Sequence, residues 1–95
     1  MYFDLSALDG RTAYKLMTAV AVPRPIAWVV SGSEEGALNA APFSFFGLMS
    51  GDPPVITIGI GSRNGAAKDT YRNLHEGAEF VVNLVGAQLL EQMNI

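Results

Sequence analysis

The sequence predicts a mainly β fold with flanking helices, and three observations point that way. Ile26-Ala27-Trp28-Val29-Val30 is a short β-branched and aromatic run, followed at once by the turn-forming Ser31-Gly32-Ser33-Glu34-Glu35-Gly36. Val55 to Ile60 alternates Ile56, Ile58 and Ile60 against Val55, Thr57 and Gly59, the period of a strand with one aliphatic face. Helical periodicity is confined to short stretches around these runs, the clearest being Ala13, Leu16, Met17 and Val20 at i, i+3, i+4 and i+7.

Taken in order, Asp9 to about Thr18 is predicted as an amphipathic helix with Asp9 as its N-cap, stopped by Pro23-Arg24-Pro25. Ile26 to Val30 and Ala37 to Ala41 then form a hairpin. Pro42 to Ser50, where Phe43, Phe45 and Phe46 crowd around Ser44, is predicted as loop with one helical turn, ahead of a Ser-Gly-Asp-Pro-Pro turn at residues 50–54. In the strand from Val55 to Ile60, Gly59 leaves room for a close approach to the backbone. A polar loop from Gly61 to Gly65 leads to a helix capped by Asp69, running to about Glu76 and stopped by Gly77. Phe80 to Val85 is the fourth predicted strand, and Ala87 to Met93 returns to helix with Leu89, Leu90 and Met93 at helical spacing.

Composition narrows the function. The chain has 95 residues, enough for one small domain, and its 49% hydrophobic and 16% charged content is too apolar for intrinsic disorder. Net charge is −3, and the six basic residues are scattered, so no nucleic-acid footprint is expected. No cysteine is present, which removes disulfides, thiolate metal sites and cysteine nucleophiles, so redox chemistry would need a borrowed cofactor. The sequence has neither a basic start with a long apolar run nor ~20 consecutive apolar residues, and a cytoplasmic protein without a membrane partner is expected.

Few residues offer chemistry of their own. His75 is the single histidine and is read as a surface residue in the last turn of its helix, so a metal site and a Ser-His-Asp triad both lack their parts. Asp52 and Glu34-Glu35 sit in turn sequence, and no spacing brings two carboxylates to one bond. Ser62 to Thr70 is richer. Arg63 and Lys68 supply charge, Ser62 and Thr70 supply hydroxyls, and a helix starts nearby, a composition that suits a phosphate but more often serves helix capping and solubility.

Four linked segments carry a family resemblance: Pro23-Arg24-Pro25-Ile26-Ala27-Trp28-Val29-Val30, Asn39-Ala40-Ala41-Pro42-Phe43-Ser44-Phe45-Phe46, Asp52-Pro53-Pro54 and Lys68-Asp69-Thr70. In this order and spacing, from about Arg11 to Met93, they resemble the flavin reductase-like, FMN-binding split-barrel family. The resemblance implies an antiparallel FMN-binding split β-barrel of six strands with flanking helices, working as a homodimer with FMN near the subunit interface. Members pass electrons from NADH or NADPH to flavin, often to feed a partner monooxygenase, while others act as non-enzymatic electron carriers. Members are about twice as long as this chain, so residues 1–95 are expected to be the N-terminal part of the domain, with the barrel incomplete and the apolar faces of its strands uncovered. A truncated domain lacking activity is the third alternative.

Carried over by residue, the resemblance places Asn39, Ala41, Pro42, Phe43, Ser44 and Phe45 along the isoalloxazine ring, with the Ser44 hydroxyl at its edge. Ser62, Arg63, Lys68 and Thr70 would hold the phosphate. No catalytic acid is implied, because the flavin carries the chemistry and the protein positions it. Core packing is expected for at least two of Phe43, Phe45 and Phe46. Arg24 is open to two readings, aiding the site or bracing the start of its strand. Nothing in the sequence distinguishes NADH from NADPH, since the Rossmann unit that carries the ribose-reading residues is absent.

Overall fold

The computed structural model describes residues 1–62, 64–75 and 77–94. A short 3-10 turn at Leu5–Ala7 precedes helix α1 (Gly10–Val20). Asp9 caps α1, its carboxylate accepting from the Thr12 N–H at 2.7 Å. The predicted apolar stripe is only partly covered: Ala13 and Leu16 are half-buried, whereas Met17 and Val20 stay exposed.

Strands β1 (Ala27–Gly32) and β2 (Leu38–Phe43) form the expected hairpin, with Trp28 opposite Pro42 and Val29 opposite Ala41. Ser33 closes its turn, donating its N–H to the Ala37 carbonyl at 2.9 Å and accepting the Ala37 N–H on its hydroxyl. Gly36 supplies the left-handed residue at φ 87° that the turn requires. Strand β5 (Phe80–Asn83) pairs with the other side of β1, giving an antiparallel sheet in the order β2-β1-β5. Sequence extended this strand to Val85; it stops at Asn83, whose side-chain amide donates to the Trp28 carbonyl at the end of the ladder.

The stretch from Pro42 to Ser50 departs from expectation. It is not a loop with a helical turn: β2 continues through Pro42 to Phe43, and after a two-residue corner β3 runs from Phe46 to Gly51. Pro42 is tolerated because β2 is the edge strand of its sheet, where a missing N–H costs no ladder bond. The Gly, Met and Ser residues of β3 have weak strand propensity, and pairing with isoleucine-rich β4 (Pro54–Ile58) overrides it. The register shifts between Leu48 and Ser50, leaving a bulge at Met49. Among the described residues, five strands in two antiparallel sheets therefore replace the four strands predicted.

Ala27, Val29 and Phe43 are buried at the centre, with Ala41, Phe46, Ile58, Ile60 and Val82 packed against them. Part of the apolar surface expected to lack cover thus finds it locally. Leu48 and Leu84 do not, remaining 86% and 85% exposed. Among the described residues the sheets are open and form no closed barrel, consistent with a radius of gyration of 15.4 Å, against ~12–13 Å for a compact domain of this length. No helix among the described residues is long and apolar enough to cross a membrane.

Helix α2 (Asp69–His75) lies over β1 and β2. Asp69 is its first residue, not its cap: the Lys68 carbonyl accepts the Arg72 N–H, and the Asp69 carboxylate pairs with the Arg72 guanidinium. Gly77, at φ 83°, ends the helix as expected, its N–H donating to Leu74 and the Ala78 N–H reaching the Asn73 carbonyl. Two side chains of α2 are buried, and both are polar. Asn73 donates to the Ser31 hydroxyl at 3.0 Å, and Thr70 accepts from the Asn39 amide at 2.9 Å. The chain finishes with a 3-10 turn (Ala87–Leu89) and helix α3 (Leu90–Met93).

The Asp9 cap gives a pH-dependent prediction. Its hydrogen bonds from the Thr12 backbone and side chain hold the carboxyl below its ordinary range. Because the folded pKa is the lower one, the cap's contribution is complete above the ordinary aspartate pKa and is lost as the pH falls through the lowered value. The Thr12 amide resonance should follow this titration with a midpoint below that of an unstructured aspartate, and Asp9→Asn should keep the helix while abolishing it. A midpoint at the unperturbed value would refute the cap.

Candidate functional site

The residues singled out from sequence converge on two clefts that share one wall. The first, of about 590 Å³, is lined by Asn39, Ala41, Pro42, Phe43, Lys68 and Thr70 among others. The second, of about 640 Å³, is lined by Pro42, Ser44, Phe45, Ser62 and Lys68 together with Tyr14 and Ile60. Both volumes fall in the ~300–1,000 Å³ range of small-molecule sites. Pro42 and Lys68 form the ridge between them. Arg63 lies outside the described residues.

Lys68 owes its place to α2, which it immediately precedes. The half-buried side chain reaches across β2, setting Nζ 5.7 Å from the centroid of the buried Phe43 ring, within cation–π range. Among the described residues its ammonium has no carboxylate partner. Thr70 is 1% exposed, and its hydroxyl is engaged by Asn39. Both residues thus tie α2 to β2 at the floor of the first cleft.

Ser44 and Phe45 form the corner where the chain leaves one sheet for the other. The Phe45 carbonyl accepts the Gly59 N–H at 2.6 Å. A Cβ at Gly59 would stand 2.8 Å from the Phe45 Cβ, which explains the glycine noticed in sequence: the close approach is made by Phe45 itself. Phe45 remains exposed, in contact with Tyr14 of α1 at 5.9 Å between ring centroids and with the Arg24 guanidinium 5.8 Å from its own. Phe43 and Phe46 take the core positions.

Arg24 resolves into a role with two parts. Its Nη1 donates to the Thr18 and Ala21 carbonyls at 2.8 and 2.7 Å, closing the C-terminal end of α1, while Nε donates to the Ser44 hydroxyl at 3.3 Å. Sequence reasoning did not assign Tyr14 to the site. Its position beside the apolar stripe of α1 was the available signal, but which element that face would meet was not legible. Met93 and Asn94 also line the first cleft, placed there by the fold of the last helix. His75 is exposed and stacks on Tyr71 at 5.4 Å, away from both clefts.

Gly59→Ala should push the Phe45 corner away from the end of β4. The expected loss is ~1–3 kcal/mol, typical of overpacking where the obstructing atom is held by backbone. Denaturant unfolding measures it as a lower midpoint with an unchanged slope. A midpoint equal to that of the parent chain would show that the corner is not clamped here.

The chain is similar to known proteins over most of its residues. The sequence profile of the flavin reductase like domain matches residues 18–95. An uncharacterized protein of Deinococcus radiodurans is 52% identical over 99 aligned residues, covering 99% of this chain and 44% of that protein. The crystal structure of nitrilotriacetate monooxygenase component B from Bacillus cereus aligns with a TM-score of 0.90 and 35% identity, over 99% of this chain and 46% of its own. That of 2-nitrobenzoate 2-nitroreductase from Pseudomonas fluorescens aligns at 0.84 and 38%, over 99% and 45%. The chain spans about half the length of the curated relatives and solved structures it matches. With sequence and fold matched over most of its residues, the chain belongs to the flavin reductase like domain family.

Proposed function

We propose that this chain forms the flavin-binding part of an NAD(P)H-dependent flavin reductase that uses FMN, of the kind that delivers reduced flavin to a monooxygenase. The observation that carries the proposal is the ridge of Pro42 and Lys68, which brings an ammonium without a carboxylate partner among the described residues to the boundary between two clefts of mixed polar and apolar lining. The donor set fits FMN: Lys68 and the exposed Ser62 suit a phosphate, while Pro42, Phe45 and Ile60 offer apolar surface in the same cleft as the Ser44 hydroxyl. Arg63 is assigned to the phosphate on sequence alone. Similarity to a monooxygenase component B supports a partner that consumes reduced flavin.

When bound, FMN would supply the hydride and electron chemistry. The chain's own residues hold and orient it. Lys68 and Ser62 fix the phosphate end, and the aromatic wall with its Ser44 hydroxyl fixes the ring, so that one face stays open for a nicotinamide to stack. Asn39 and Thr70, committed to each other, keep Lys68 in place. We further propose that the functional unit is a cytoplasmic homodimer, the exposed Leu48 and Leu84 being apolar surface available for assembly.

The protein should bind FMN more tightly than riboflavin, which lacks the phosphate, and should oxidise NADH or NADPH when FMN is supplied. Lys68→Ala should weaken FMN binding by ~1–3 kcal/mol and leave riboflavin binding unchanged, as read by fluorescence titration. Equal losses for both ligands would contradict the phosphate assignment. Binding without turnover would instead mark an electron carrier.

A further inference from the structure

Arg24 does more than close α1. Its guanidinium is permanently charged and can only donate, so the Ser44 hydroxyl, 3.3 Å from Nε, must present a lone pair to it. The guanidinium is not free to turn away, because Nη1 is held by the Thr18 and Ala21 carbonyls and the group lies against the Phe45 ring. The Ser44 proton therefore points away from Arg24. Among the described residues it is donated to no protein acceptor, and Ser44 lines the 640 Å³ cleft.

We infer that Arg24 is a positioning residue that occupies one lone pair of Ser44 and leaves its proton free for this cleft, favouring a ligand that presents an acceptor there, such as a ring carbonyl or an imine nitrogen. The inference rests on the flavin-binding reading above and adds a direction to it. An unconstrained serine hydroxyl offers one proton and two lone pairs; one that accepts from an arginine keeps its proton and a single lone pair for a ligand, which shifts its preference toward donating. Lysine at position 24 would keep the charge but lose the fork that holds both the helix end and the serine.

The test compares the visible absorption band of FMN bound to the full chain and to three variants, Ser44→Ala, Arg24→Lys and the double substitution. Wild type should shift the flavin band on binding. Ser44→Ala should lose that shift and bind FMN roughly two- to tenfold more weakly, the cost of one neutral hydrogen bond. Arg24→Lys should reproduce the same spectral loss, and the double substitution should lose no more than either alone. Additive spectral losses, or a wild-type band in Arg24→Lys, would overturn the orienting role while leaving flavin binding intact. Ser44→Ala removes no carbonyl contact of α1, so a wild-type band in that variant overturns the inference even if Arg24→Lys fails to fold. No FMN binding by the wild type would overturn both the inference and the flavin reading beneath it.

Discussion

Two side-chain hydrogen bonds, one buried and one partly buried, decide where this site forms. Ser31 and Asn39 face each other in register across β1 and β2. Thr70 and Asn73 stand three residues apart on one side of α2, and each meets one of the strand residues, Asn39 with Thr70 and Asn73 with Ser31. An apolar seam would let the helix slide or roll at little cost. This one does not, because any displacement leaves a desolvated amide or hydroxyl without its partner, a penalty of ~1–3 kcal/mol per group. Among the described residues no buried side-chain nitrogen or oxygen is left unsatisfied. With α2 fixed in register, Lys68, the residue that immediately precedes it, is delivered over Phe43.

The second constraint is the Ser44-Phe45 corner, where the chain crosses from one sheet to the other. Gly59 from the end of β4, Arg24 from below α1 and Tyr14 from its flank all bear on these two residues. A corner held from three directions gives the second cleft a rigid wall, as positioning a flat cofactor demands. The ridge of Pro42 and Lys68 joins the two constraints, so the clefts are coupled through the end of an edge strand and the start of a seven-residue helix.

Much of this was legible in the sequence, for identifiable reasons. The Asp9 cap, the β1–β2 hairpin and the Gly77 stop are local signals carried by a few adjacent residues, and the structure has all three. Strand β3 was not legible. Gly47, Met49 and Ser50 say little locally, and the strand exists because Ile56 and Ile58 lie opposite it across the Asp52 turn. Asn39 and Thr70 were visible as polar residues of the site, but their commitment to each other depends on the packing of α2, a contact between residues 31 apart in sequence. The family motifs compensate for this, since they hold such distant pairings in one pattern.

Asn73 lines neither cleft with Lys68 in its wall, yet it fixes the helix that Lys68 leads into. The most direct measurement of the account is therefore the affinity of Asn73→Ala for FMN and for riboflavin, at a temperature where variant and parent are both folded. Loosening α2 should weaken FMN while leaving riboflavin unchanged, because in the proposed binding mode only the phosphate end depends on where the helix starts. Unaltered affinity for FMN, or an equal loss for both ligands, would contradict the claim that the buried polar seam positions the site.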